Sequence, residues 1–295
     1  MKNKPKAPTL RQFQDRFPTE DSCLEHLMRT RFGDRHDCGK CGKNAHFYRI
    51  TTRRSYACEY CGHQVYPTAD TPFHRTRTSL RDWFYVMFMF CTTRNGVAAK
   101  EVERQIGVTY KTAWRMCHEI RKYMAQTDGD DMLGGGGGIV EIDETLIGGS
   151  ISGKGSGYKA NKTCVVGFLE RDDKLVTRVV TRRDKAAMHL MINNHVLPGA
   201  KISTDEFGGY KDLHHNGYQH MTVRHKAKEY SNPVTGAGVN AIEGFWSALK
   251  RGINGTHIHV SGKHLWKYLG EFEYRHNRRH APHLMLDEMI SAFQR

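Results

Sequence analysis

The sequence predicts an α/β protein, a mixed sheet flanked by helices, preceded by a small cysteine-held module and a helical segment. Three observations carry that expectation. Four of the eight cysteines form two Cys-x-x-Cys pairs, Cys38 with Cys41 and Cys58 with Cys61. Apolar residues then recur at helical spacing between positions 76 and 127. Beyond a glycine-rich stretch, short apolar runs end in acids at Asp143 and Asp205 and alternate with helical patterns.

The 295 residues are 38% hydrophobic and 26% charged, enough for more than one core. Lys and Arg outnumber Asp and Glu by 45 to 31, a formal net charge of +14 that favours a polyanionic partner. No run of about 18 apolar residues and no signal peptide is present, so membrane and secretory classes are set aside and the chain reads as cytoplasmic. Cys23, Cys91, Cys117 and Cys164 are scattered, which suits a reducing compartment and a metal site better than a disulfide framework.

In chain order, residues 1–30 begin with a polar basic tail, Met1 to Pro8, expected to be disordered. Leu10, Phe13, Phe17, Cys23, Leu24 and Leu27 then predict one or two short packing helices, the second capped by Thr19. Residues 31–75 predict a zinc ribbon. Two cysteine knuckles place four thiolates tetrahedrally, Phe47, Tyr48, Ile50 and Tyr56 alternate as a hairpin does, and Gly39, Gly42 and Gly62 relieve the turns. Four protein thiolates leave no open position, so this zinc is structural. Residues 76–127 open behind Ser79 with Leu80, Phe84, Met87 and Phe88 on one helical face. A short helix to Ile106, the turn Gly107-Val108-Thr109 and a helix from Tyr110 to Tyr123 follow the helix-turn-helix pattern. Tyr110, Lys111, Thr112 and Arg115 would then face a DNA groove, with Ala99, Val102, Ile106, Val108, Ala113 and Met116 packing. An ordinary helical hairpin has the same pattern; the basic charge and the neighbouring ribbon favour DNA.

Residues 128–138, acidic and then glycine-rich, read as a linker. Residues 139–295 form the expected catalytic domain. Strands are predicted at Ile139 to Thr145, Thr163 to Glu170, Leu175 to Val180, Ala200 to Thr204 and Gln219 to Val223. Asp143 is placed at the end of the first, with Glu141 on its face and Glu144 on the other. Gly148 to Gly157 reads as a flexible basic loop, and 224–239, with His225, Lys226, Lys228 and Tyr230, as another. A helix from Asp184 to His195 would pack through Ala187, Leu190, Met191 and His195. The helix from Asn240 carries Asn240, Glu243, Ser247 and Lys250 on one stripe and Ile242, Phe245, Trp246 and Leu249 on the other. A last helix from Ser261 carries Glu271, Arg275 and Arg278; Glu271 can pair with Arg275 one turn on.

Two strand-end aspartates on parallel neighbours, with a helical Glu or Asn, are what two-metal phosphoryl transfer needs. Such hard oxygen ligands favour two Mg²⁺, or Mn²⁺, ions per site.

These segments, in the order zinc ribbon, helix-turn-helix-like stretch, Ile-Val-Glu-Ile-Asp143-Glu-Thr, Ser-Thr-Asp205-Glu-Phe-x-x-Tyr, Asn240-x-x-Glu243-Gly-Phe-Trp-x-x-Leu-Lys250-Arg-Gly and Glu271-Phe-x-x-Arg275-x-x-Arg278, resemble bacterial insertion-sequence transposases of the zinc-ribbon subgroup, relatives of the eukaryotic Merlin elements. The resemblance implies an RNase H-like catalytic core and a DNA transposase that binds its element's terminal inverted repeats, cuts and joins strands, and works at the nucleoid. It also implies double-stranded DNA partners and a homo-oligomer, a dimer or larger; that no membrane partner is expected follows from the lack of a spanning or anchoring segment. By position, Asp143 and Asp205 match the first two catalytic acids, and either Glu243 or Asn240 the third, with Glu243 ranked slightly ahead. Lys250 and Arg251 would lie near the scissile phosphate, and Arg275 and Arg278 among the DNA contacts. A nuclease on the same scaffold, or a DNA-binding regulator with a degenerate core, are the alternatives.

Overall fold

The computed structural model describes residues 5–128, 131–148, 162–224, 231–232 and 235–293. The chain divides into two compact units: Met1–Thr93 with Ala99–Tyr123 and His280–Arg295, and Arg94–Ala98 with Met124–Arg279. The ribbon and the helices around it thus share one unit, and the last sixteen residues belong to that unit rather than to the expected 139–295 domain. The first four residues of the basic tail, most of the loop after Gly148, and His225, Lys226, Lys228 and Tyr230 lie outside the described residues.

The first unit opens with α1 (Leu10–Arg16) and α2 (Glu20–Phe32), each started by a threonine hydroxyl that accepts an amide of the first turn. The ribbon follows as an antiparallel pair, β1 (His36–Asp37) with β2 (Asn44–Ala45), and an antiparallel three-stranded sheet of β3 (Phe47–Ile50), β4 (Ser55–Cys58) and β5 (Gln64–Val65). Ion pairs from Arg49 to Asp21 at 2.8 Å and from Arg54 to Glu20 at 2.6 Å tie it to α2. Helix α3 (Leu80–Thr92), capped by Ser79, is the apolar centre; Trp83, Phe84 and Phe90 have no exposed surface. Next come α4 (Ala99–Ile106), the turn Gly107-Val108-Thr109, and α5 (Tyr110–Thr127).

The second unit holds a five-stranded mixed sheet. Strands β6 (Ile139–Ile147), β7 (Thr163–Glu170) and β8 (Leu175–Val180) run antiparallel in series. After α6 (Lys185–His195), β9 (Lys201–Thr204) returns parallel to β6, and β10 (Gln219–Thr222) parallel to β9. The order β10-β9-β6-β7-β8 puts the first strand in the middle, as the RNase H-like expectation requires. Helices α7 (Asn240–Gly252) and α8 (Gly262–Asn277) cover one face, burying Ile242, Trp246, Leu249 and Leu269 against Val165 and Leu169. The other face packs Val140, Ile142, Val166 and Phe168 on Met188 and Ile192 of α6. That pattern follows from the strand's period of two, which sends alternate side chains to opposite helical layers. The final helix, α9 (Met285–Ala292), belongs to the first unit, where Phe293 stacks on Phe73 at 5.4 Å. No helix among the described residues is long and apolar enough to cross a membrane.

Three expectations are corrected. Asp143 is the middle residue of β6, not its end, because β6 continues to Ile147 on β7 alone after its last pairing with β9, at Glu141 and Ser203. Helix α6 buries Met188 and Ile192 rather than Ala187 and Leu190, the latter 61% exposed, while Met191 and His195 pack as expected, Met191 against the core and the His195 ring 5.3 Å from that of Phe168. The supposed linker is held down: Asp128 pairs with Arg278 at 2.6 Å, Leu133 is buried, and the Gly134 amide donates to Glu170.

Gly167 is a close approach of sheet and helix, since a Cβ there would come within 2.7 Å of the Trp246 ring and 2.9 Å of Ile242. Gly167→Val should therefore destabilise the second unit by about 1–3 kcal/mol through overpacking; an unchanged denaturation midpoint would refute this contact. Glu273 of α8 is buried and accepts both the amide and the hydroxyl of Thr177, with Arg178 and Asp128 nearby. Burial pushes its carboxyl up to about 7 despite those donors. The unfolded chain loses this proton near the ordinary glutamate value and the folded chain only near 7, so stability falls as pH rises between them, by on the order of 3 kcal/mol, and is level above. Glu273→Gln should remove that slope; parallel denaturation-versus-pH profiles for parent and variant would contradict it.

Candidate active site

The four ribbon cysteines gather as the spacing predicts. Cys38 and Cys61 sulfurs are 3.6 Å apart and Cys41 and Cys58 sulfurs 3.9 Å, and all four lie within 4.8 Å of one another. Zn–S bonds of about 2.3 Å at tetrahedral angles set sulfurs ~3.8 Å apart, so the cluster fits structural zinc. Each knuckle is wound the same way. The Gly42 amide donates to the Cys38 carbonyl and the Gly62 amide to the Cys58 carbonyl, with both glycines at positive φ. Gly39, expected to share that role, has no positive φ. Backbone amides, led by that of Cys41, lower the Cys38 thiol toward the thiolate a metal binds, while burial and the neighbouring sulfurs raise Cys61.

In the second unit the acids of β6 divide by face. Asp143 accepts the indole N–H of Trp246 at 3.1 Å, on the side of α7. Glu144 points to the opposite layer, where the hydroxyl of Tyr210 donates to it at 2.6 Å and Arg183 pairs with it. Burial holds the Tyr210 phenol well above its ordinary value, so it stays a donor. Asp205 follows the last residue of β9, and its Oδ1 accepts the Phe207 amide at 2.9 Å, turning the chain toward Tyr210.

Burial is the largest cause raising the Asp143 carboxyl to about 7, and the charges of Glu144, Asp205 and Glu243 push it further. Three acids from β6, the end of β9 and α7 therefore share one electrostatic neighbourhood. Their oxygens do not all lie within 4.8 Å of one another, as the cysteine sulfurs do. Hard oxygen donors from three elements in one neighbourhood fit a divalent cation. Asn240 stands one turn earlier at the start of α7, exposed, in a cleft of about 410 Å³ lined by Glu141, Arg171, Asp172 and Asn232.

Along α7 the predicted stripes hold: Asn240, Ser247 and Lys250 are exposed and Glu243 half-buried, while Ile242, Phe245, Trp246 and Leu249 are buried. Arg251 is also exposed. Arg275 and Arg278 are engaged inside the unit: Arg275 pairs with fully buried Glu271 at 2.7 Å and donates to the Arg94 carbonyl, and Arg278 pairs with Asp128. In the first unit, Tyr110, Lys111 and Arg115 are exposed at the start of α5 and Thr112 is half-buried, with Val102, Ala113 and Met116 inside. The histidines at 257, 259, 264, 276, 280 and 283 form no metal-ligating group among the described residues.

Reading the sequence missed Trp246 as a partner of Asp143, having placed it only in the core, and missed the roles of Gly167 and Tyr210. The signal for Trp246 was its position three residues after Glu243, on the flank of the helix nearest the acid.

Residues 134–277 match the sequence model of the ISXO2-like transposase domain, and residues 18–64 that of the transposase zinc-ribbon domain of the same IS1595 family. No curated protein matches the chain. The first span contains Asp143, Asp205 and Glu243 and the second all four ribbon cysteines; the chain belongs to the insertion-sequence transposases that carry a zinc ribbon.

Proposed function

We propose that the chain binds the terminal inverted repeats of its own insertion sequence and cuts and joins DNA strands with Asp143, Asp205 and Glu243 as the metal-binding acids. The observation that carries this reading is the placement of the three acids on β6, at the end of the parallel β9 and on the helix whose Trp246 donates to Asp143, near enough that the other two raise Asp143. Bound divalent ions, Mg²⁺ or Mn²⁺, would polarise the phosphate and favour the ionised form of the attacking hydroxyl. The residues do the rest. Trp246 fixes the orientation of Asp143, and Lys250, exposed seven residues after Glu243 on the same stripe, meets a DNA phosphate. Water attacks phosphorus at the element end and frees a 3′-hydroxyl. That hydroxyl then attacks target phosphorus, forming one P–O bond as another breaks.

Glu243 is preferred to Asn240 because its charge reaches Asp143, whereas Asn240 faces the neighbouring cleft. The exposed edge of α5, with Tyr110, Lys111, Thr112 and Arg115, supplies groove contacts, and Lys250 and Arg251 phosphate contacts. Arg275 and Arg278 brace buried acids, so phosphate contacts are assigned ahead of them to Lys250 and Arg251.

With Mg²⁺ and a duplex carrying the element's own end, the parent should cleave and join. Asp143→Asn and Glu243→Gln should fall to background, and Asn240→Ala should lose no more than about tenfold, as an outer residue does. A strand-transfer gel checks this. Cleavage without joining would make the chain a nuclease; binding without metal-dependent cleavage would make it a regulator. Stripping zinc should expose four further reactive thiols and abolish end binding while the second unit keeps its own unfolding transition. A single cooperative collapse on chelation would contradict that independence.

A further inference from the structure

Helix α7 begins without a cap of its own. Val239 stands at its N-cap position and has no side-chain oxygen for the amides of the first turn. Those amides are answered from the sheet. Glu141 Oε2 accepts the Ala241 amide at 2.9 Å and the Ile242 amide at 3.0 Å, the second and third helical residues that an N-cap side chain ordinarily serves. Its Oε1 accepts Arg171 Nε at 2.7 Å. Arg171 also donates to the carbonyls of Gly236 and Gly238, in the segment leading into the helix. The Glu141 side chain is 2% exposed, so this carboxylate is held by three donors with little access to water. A negative charge at that place is favoured by the helix dipole.

We infer that Glu141 is a positioning residue: it is the N-cap of α7 supplied from β6, and through that cap it sets where Glu243 stands relative to Asp143. The inference rests on reading Asp143, Asp205 and Glu243 as the metal-binding acids. Glu141 and Asp143 are two residues apart on one strand and face the same helix, and Glu243 lies two residues beyond the capped Ala241 amide. One carboxylate therefore couples two acids about a hundred residues apart in the chain. Three donors already hold its two oxygens, which places it as a support for the helix rather than among the ligands. Without the cap, the first turn of α7 loses its anchor and Glu243 drifts. Asp143 stays, because the β7 pairing and Trp246 hold it.

The test is titration of the purified full-length chain with Mn²⁺, free ion being read by electron paramagnetic resonance. Glu141→Gln should weaken Mn²⁺ binding about tenfold, the range of an outer-shell partner. Asp143→Asn should abolish it. Val239→Thr, which places a hydroxyl at the N-cap with nearly unchanged shape, should restore at least half of the loss, on a logarithmic scale, in the Glu141→Gln background. Parent-like affinity in Glu141→Gln would overturn the inference. So would a loss as complete as that of Asp143→Asn, which would make Glu141 a ligand, or a failure of Val239→Thr to recover affinity. Should circular dichroism show Glu141→Gln unfolded, Arg171→Lys is titrated instead: a smaller loss in the same direction is expected, and none would overturn the inference. Parent-like binding by Asp143→Asn would sink the metal reading itself, and the cap's role with it.

Discussion

A strand covered by helices on both faces cannot carry ionised carboxylates unless each has donors or a counter-charge, and β6 carries three acids within four residues. The period of the strand separates them before anything else acts. Glu141 and Asp143 go toward α7, and Glu144 goes toward the layer of α6. Each acid then recruits a different part of the unit. Glu141 gathers the start of α7 and, through Arg171, the loop before it. Glu144 gathers Tyr210 and Arg183, and Tyr210 closes the turn that begins at Asp205. Asp143, between them, takes the indole of Trp246 and the field of its neighbours. The flanking acids satisfied by protein thus fix the two elements that bring the other acids to Asp143.

This division accounts for a site that is electrostatically unfavourable by itself. Repulsion among Asp143, Asp205 and Glu243 works against bringing them together, and burial adds to it. The opposing contributions lie outside the site: apolar packing of α7 and α8 on β7, the close seat of Trp246 over Gly167, and the amide donors on Glu141. Stability drawn from the surroundings holds the three acids in one neighbourhood, an arrangement suited to a group that binds cations.

Much of this was legible in the sequence, because the legible features are local. Cys-x-x-Cys spacing is a statement about two tight turns, and the stripes of α7 follow from helical period alone; both appear as expected. The parallel pairing of the two aspartate strands was also anticipated. What was not legible depends on partners distant in sequence. The extent of β6 past Asp143 is set by β7 and not by its own residues. The packing face of α6 was placed only in part because Leu190 and Met188 are both apolar, and only the sheet decides which is covered. The return of the last residues to the first unit depends on contacts such as Phe293 on Phe73, which no local pattern announces.

The same geometry bears on the choice between Asn240 and Glu243 and favours Glu243 in the proposed site. Asn240 is the first residue of α7, next to the capped amides and at the mouth of the cleft that holds Glu141 and Arg171. A carboxylate at 240 would be set beside the buried charge of Glu141 and would compete with it for the same first-turn amides. A neutral amide side chain avoids both conflicts. One turn further on, Glu243 is clear of the cap and close enough to act on Asp143. Charge at 243 and neutrality at 240 are therefore consequences of one fact: the carboxylate that starts this helix belongs to the strand.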